Sequence, residues 1–195
     1  MTAFPTKTAL PGAAFAIRSE RAGDVVAREA LLDASFGANR HLRACQRLRD
    51  GRTPAEGLAF AAVRERRLVG TVRLWDVEAG GRPALLLGPL AVDPSCRDLG
   101  IGAALMQHAL TMAAARGHGA VLLLGDAPYY ARFGFSALKT GGLRLPGPFE
   151  ADRLLGLELR AGALDGAAGL IAPTGRVAPR KARATAERKL ASRAA

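Results

Sequence analysis

The chain has 195 residues, 49% of them hydrophobic and 23% charged, which suits one globular domain and leaves no room for a second catalytic one. Cys45 and Cys96 are the only cysteines, which excludes a disulfide framework or a cysteine-based metal site, and no metal is expected. The longest apolar run, residues 84–92, is broken by Gly88 and Pro89 and falls far short of the roughly 18 residues of a membrane span, so a cytoplasmic setting is expected.

The formal charge of +11 is unevenly placed. From residue 173 onward Arg176, Arg180, Lys181, Arg183, Arg188, Lys189 and Arg193 stand against Glu187 alone, and the segment holds no aromatic residue. This composition predicts a disordered basic tail over residues 173–195, able to contact nucleic acid or acidic surfaces through counterion release. Pro5, Pro11 and Gly12 interrupt residues 1–13, read as an N-terminal extension, and the domain is placed at residues 14–172.

Residues 15–18 form the first apolar alternation and read as a strand. Residues 23–36 carry Val25, Val26, Leu31 and Leu32 at roughly helical spacing, and a second short helix is expected over residues 39–49. Residues 58–63 and 68–75 read as an antiparallel hairpin turning at the charged residues 64–67. In the third run, residues 84–92, Pro89 cannot donate a ladder hydrogen bond, so a bulge or kink is expected near its middle. Residues 101–116 are the strongest helix, with Ile101, Leu105, Ala109 and Met112 on one stripe and Gly117 just past its end. A buried strand at 120–124, a helical turn at 128–133 and strands at 135–138 and 154–159 follow. An antiparallel meander followed by strand, helix, strand and hairpin indicates a mixed α/β fold, an α+β sandwich.

The segment from Val92 to Leu105 ends a strand and opens the best helix. Gly100 and Gly102 let the backbone approach a ligand, the helix start favours an anion, and Arg97 adds a cation beside it. A P-loop fails because Ala103 and Ala104 follow Gly102. The dinucleotide fingerprint fits poorly because Leu105 stands where a third glycine belongs. The segment resembles the signature of the GNAT superfamily of N-acetyltransferases, Arg/Gln-x-x-Gly-x-Gly/Ala, at Arg97, Gly100 and Gly102. A second landmark, Tyr130 four residues before Gly134-Phe135, resembles that superfamily's late Tyr-x-x-x-Gly-Phe.

The resemblance implies a central, mostly antiparallel sheet splayed after its fourth strand and flanked by helices. It also implies acetyl-CoA as cosubstrate and an amine acceptor, with a homodimer left open. By that resemblance Leu90, Ala91 and Val92 would pair with the pantetheine arm. Backbone N–H groups of Asp98, Leu99, Gly100, Ile101, Gly102 and Ala103, beside Arg97, would hold the pyrophosphate. Tyr130 would protonate the departing thiolate, with Tyr129 packing or lining the acyl pocket.

Asp76, Glu78, Asp93 and Asp126 are the carboxylates nearest the expected cleft; none is distinguished, Asp126 ranks first among them as a general base, and a water relay to bulk ranks above it. Cys96 beside Arg97 raises an acyl-enzyme route, against which the lack of a nearby histidine speaks: His41, His108 and His118 are scattered without triad or metal-ligand spacing. Trp75, at the end of the second hairpin strand, suits a core position better than a substrate stack and is left unassigned. The rival to an enzyme is a non-catalytic acyl-CoA-binding module with a nucleic-acid-contacting tail, which has no need of Tyr130.

Overall fold

The computed structural model describes residues 15–179. Tight turns convert the apolar runs after residue 58 into a meander. Strands β2 (Ala59–Arg64) and β3 (Arg67–Ala79) pair antiparallel, and β3 pairs antiparallel with β4 (Arg82–Val92) around Gly80 and Gly81, whose φ of 55° and 83° suit glycine. Strand β1 (Ala16–Ser19) adds to the free side of β2. Beyond β4 the order continues with β5 (Ala120–Leu124), parallel to β4, and later β7 (Leu154–Glu158), antiparallel to β5. The sheet is therefore mainly antiparallel, with its one parallel step in the main path at β4 and β5.

Helices cover both faces. Helix α2 (Ile101–Ala115) buries Ile101, Leu105, Met106, Ala109 and Ala113 against Val72, Leu74, Leu85 and Leu87. Its end is closed by a left-handed Gly117 (φ 80°), with the N–H of His118 donating to Ala113 O and that of Gly117 to Ala114 O. On the opposite face α1 (Val25–Phe36) packs Leu31 and Leu32 on Ala91, while Ala44, Cys45 and Leu48 join Trp75, Leu86, Leu122 and Leu154 in a second core.

Several expectations need correction. The helix expected over residues 39–49 is two 3-10 turns, Ala38–Leu42 and Ala44–Leu48, because Arg43 between them is extended (φ −68°, ψ 145°). No strand forms at 135–138: Phe135 is buried, Ser136 makes an isolated bridge to Gly156, and Leu138 is 92% exposed. Strand β3 runs on past Trp75 to Ala79, where it pairs with β8 (Gly169–Pro173), which in turn pairs with β6 (Leu143–Arg144). Residues just after β8 are also held: the N–H groups of Thr174 and Gly175 donate to Asp76 O, Thr53 N–H donates to Arg176 O, and Val177 bridges Arg52. The tail expected from residue 173 is thus attached at least to residue 178. Its remaining cations, from Arg180 onward, and the extension at 1–13 lie outside the described residues.

The feature that positions everything downstream is a bulge in β4. Val72 faces Leu90 and Leu74 faces Leu87, so Arg73 alone opposes both Gly88 and Pro89. Side chains alternate along a strand, so the extra residue resets the alternation: Leu85 and Leu87 face α2, and beyond the bulge Leu90 and Val92 do so while Ala91 faces α1. The indole N–H of Trp75 donates to the Gly88 carbonyl at 2.6 Å. Arg73 stacks its guanidinium 5.8 Å from the Trp75 ring centroid and pairs with buried Glu20, which also binds Arg28 of α1.

Trp75→Phe keeps the ring but leaves the bulge carbonyl without its donor, which costs about 1–3 kcal/mol. A melting temperature lower by roughly 2–12 °C is expected, at about 2–4 °C per kcal/mol for a domain of this size; an unshifted melt would show that the indole does not brace the bulge. A second measurement concerns the joint between β1 and α1. Arg18 donates to both oxygens of Asp24 at 2.6 and 2.9 Å, the Arg21 N–H adds a third bond at 2.7 Å, and the Arg18 hydrogen bond chiefly holds the Asp24 carboxyl down at about 2. A depressed carboxylate stabilises the fold above its unfolded pKa of about 3.9 and loses that contribution as pH falls through its folded value. Asp24→Asn should therefore lower stability at pH 7, by about 1 kcal/mol for this part-buried surface pair. Melts compared from pH 7 down to 2 should show the difference closing below about pH 4.

Candidate active site

Strands β4 and β5 pair only at Leu85 with Val121 and Leu86 with Leu122. Beyond these residues β4 departs at its bulge and the two strands diverge, opening a cleft between residues 87–90 on one side and Leu123 and Leu124 on the other. On the β5 side, the outer half of β4 has no strand partner, which leaves extended backbone available to an extended ligand.

At the end of β4 Asp93 shapes the turn, accepting from the Ser95 N–H at 2.9 Å and the Ser95 hydroxyl at 2.7 Å. Residues Pro94–Leu99 wind as a 3-10 turn carrying exposed Arg97 and Asp98. Gly100 then turns left-handed (φ 70°, ψ 10°) and caps α2 without a side chain. With no side-chain cap and no acid in the first turn, the helix start keeps its positive dipole end and first N–H groups uncovered, at Ile101, Gly102 and Ala103. A Cβ on Gly102 would lie 3.6 Å from Val92 and 3.7 Å from the Tyr129 hydroxyl, so this first turn packs closely on the strand end.

Helix α3 (Ala127–Ala131) brings the two tyrosines. Asp126 is its N-cap, accepting from the Tyr129 N–H at 3.2 Å, and Pro128 sits in its first turn. Consecutive helical residues point about 100° apart, so the neighbours part company. Tyr129 is 40% exposed, reaches α2's first turn and carries the Arg132 guanidinium 4.0 Å from its ring centroid. Tyr130 turns into the cleft, half-buried beside Pro89, Leu90 and Leu123, with Phe135 edge-on at 6.1 Å. Burial, with a smaller push from Tyr129 against the pull of Arg153, raises its phenol above the usual 10.0.

Of the residues named from the sequence, Leu90 and Tyr130 line the cleft, the first turn of α2 packs at Gly102 on Val92, Arg97 and Asp98 are exposed in the turn before it, and Ala91 is buried against α1. Other candidates fall away from the cleft. Asp126 is occupied in capping α3 and exposed, and Asp76 and Glu78 lie within β3, away from the cavity lining. Cys96 is buried in the core under α2, with Ser95 Oγ 3.7 Å away, which removes the acyl-enzyme route. His108 packs edge-on against Phe60 at 4.6 Å, its pKa lowered by burial, and His118 belongs to the α2 cap. Among the described residues no cluster of His, Cys, Asp and Glu could hold a metal, and no helix is long and apolar enough to cross a membrane.

Sequence reasoning missed the far wall of the cleft. Arg40, Arg43, Cys45 and Arg49, all from the 3-10 turns or just after them, line it. Their spacing carried no motif, and only the packing of these turns against β4 brings them to the bulge.

Comparison with known proteins agrees with this geometry. The profile of a family described as an acetyltransferase (GNAT) domain matches residues 55–137. The chain is 31% identical over 157 residues to the uncharacterized N-acetyltransferase YhbS of Escherichia coli K12, covering 80% of this chain and 93% of that one. The crystal structure of Escherichia coli YhbS in complex with CoA superposes with a TM-score of 0.71 at 28% identity, covering 85% of this chain and 93% of that one. A GNAT family acetyltransferase from Brucella melitensis in complex with acetyl-CoA gives 0.56 at 25% identity, over 86% and 97% of the two chains. From its strand order, its splayed cleft and these similarities, the chain belongs to the GNAT family of acetyltransferases.

Proposed function

We propose that this acetyltransferase moves an acetyl group from acetyl-CoA directly to an amine while both are bound in the splayed cleft. The observation that carries the proposal is the divergence of β4 from β5 after Leu86, with an uncapped helix start at its mouth and a half-buried tyrosine within it. The similar proteins of known structure were solved with CoA or acetyl-CoA, which supports this donor.

The residues fit such a donor. A pyrophosphate needs N–H groups and positive potential free of protein acids, and the first turn of α2 beside Arg97 offers both. A pantetheine arm carries amides that can pair with an unpartnered strand edge, and Leu90, Ala91 and Val92 present one. Acetyl-CoA supplies the thioester whose acyl carbon is attacked.

The chemistry left to the chain is modest. The cleft holds the amine beside the thioester, a proximity contribution that reaches about 7–11 kcal/mol in well-oriented cases. A backbone N–H near Val92 polarises the carbonyl. As the C–N bond forms and the C–S bond breaks, Tyr130 gives its proton to the departing sulfur, and the amine proton leaves through water, since no carboxylate lines the cavity. Burial keeps the Tyr130 phenol protonated at neutral pH, which an acid requires. A non-catalytic module would have no use for that placement.

Acetyl-CoA should raise the melting temperature, the stabilisation reaching about 2.7 kcal/mol at a hundredfold excess over Kd. Gly102→Val should abolish that shift and leave the fold standing, because a first methyl meets its neighbours only at 3.6 Å or beyond. A retained shift would remove this turn from the donor site. For Tyr130→Phe, kcat should fall about 10²- to 10⁴-fold with acetyl-CoA affinity kept. A wild-type kcat, or a larger loss in Tyr129→Phe, would transfer the role elsewhere.

A further inference from the structure

The cleft ends in a cavity of about 160 Å³ beneath the 3-10 turns. That is below the roughly 300 Å³ at which pockets for drug-sized ligands begin, so its occupant is a small group. Its lining holds Arg40, Arg43 and Arg49 and no carboxylate.

The three cations differ in their partners. Arg40 is neutralised by Glu29 and by Asp33, with its Nε 2.8 Å from the Asp33 carboxylate. Arg43 lies over the Phe36 ring, 5.2 Å from its centroid. Arg49 has no comparable partner: among the described residues no carboxylate stands within ion-pair distance of it, and its buried Nε has no hydrogen-bond partner. The adjacent Asp50 instead accepts from the Gln46 amide at 2.7 Å. A Cβ on Gly88 would stand 3.2 Å from Arg49 Nη2, so the guanidinium rests against the bulge itself. Burial draws its pKa down from 12.5 to about 10, and at neutral pH it is still a cation. Half-buried Arg49 thus feels the charge of adjacent Asp50 but pairs with no carboxylate, and its buried Nε is left without a partner, which favours an anion from outside the protein.

We infer that Arg49 selects the acceptor, and that the acceptor is a small amine bearing a carboxylate that pairs with the Arg49 guanidinium. The inference rests on reading the cleft as the site of acyl transfer. A guanidinium fork matches a carboxylate two bonds at a time, which fixes the orientation of the molecule carrying it. Because Arg49 lies against Gly88 and shares its cavity with Leu90, a carboxylate held there leaves an amine on the neighbouring carbon beside the strand edge at which the pantetheine arm is placed. The charge balance also selects. A plain ammonium would enter an arginine-lined cavity with no carboxylate and be repelled, whereas a zwitterion brings its own counter-charge. The same cations favour loss of the ammonium proton, which a site without a carboxylate base needs.

The test compares CoA release with matched pairs, alanine against ethylamine and leucine against isopentylamine, together with ethanolamine phosphate, in wild type, Arg49→Gln and Arg49→Lys. In parallel, N-acetylalanine and N-ethylacetamide are titrated calorimetrically into the CoA-saturated protein. The carboxylated member of each pair should be favoured, in turnover or in binding, by about 10- to 100-fold, the range of one charge-assisted interaction. Arg49→Gln should erase that preference while the acetyl-CoA melting shift persists, and Arg49→Lys should restore part of it. Equal treatment of the paired compounds by wild type, a preference that survives in Arg49→Gln, or a stronger response to the phosphorylated amine would overturn the inference. Absence of any acetyl-CoA melting shift in wild type would instead remove the acyltransfer reading on which it stands.

Discussion

The carbonyl of Gly88, held by the indole of Trp75 at 2.6 Å, is the contact on which the rest of the site depends. One extra residue in β4 cannot be absorbed by a regular ladder, so the strand must bend and its alternation must shift. Without the shift Leu90 and Val92 would turn away from α2, and the strand would have no reason to leave β5. The bulge therefore decides two things together, the opening of the cleft and the direction of the side chains that seat α2 at its mouth.

The surroundings brace this irregularity from both faces. Glu20 at the end of β1 ties Arg28 of α1 to Arg73, and Arg73 lies over Trp75 across from the bulge. Breaking such a buried set at one member leaves uncompensated charge, so the set resists local rearrangement. On the other side of β4, α2 presses Ile101 and Leu105 close to Gly70, where even a methyl group would fall within 2.9 Å of each. The helix start is thereby fixed against the strand end.

Charge is distributed in keeping with that geometry. The mouth exposes Arg97 and a bare helix dipole, suited to phosphate, and the deep end carries Arg49 without an ion pair, suited to a second anion. Between them lie apolar Pro89, Leu90 and Leu123 and the raised phenol of Tyr130. A cleft anionic at neither end agrees with a donor rich in phosphate and with an acceptor that is itself charged.

The sequence by itself determined the meander, the strongest helix with its glycine cap, the bulge near Pro89 and the Gly100 and Gly102 turn, because each is a local rule. Proline lacks an N–H, glycine admits positive φ, and apolar spacing selects a period. The expectation for Tyr130 over Tyr129 came instead from the resemblance to the superfamily's Tyr-x-x-x-Gly-Phe pattern, which the residues carry at Tyr130, Gly134 and Phe135. The short strands β6 and β8 were beyond the reach of the sequence, because two to five residues carry too little periodicity and their pairing depends on partners far along the chain. The same holds for residues 39–49: their composition suits a helix, yet Arg43 is extended so that Cys45 and Leu48 can enter the core under Trp75. Only the tertiary structure decided that Trp75 braces the bulge, that Cys96 is buried and that Arg49 faces the cleft. Each of these depends on which surfaces meet in space, and no spacing along the chain encodes that meeting.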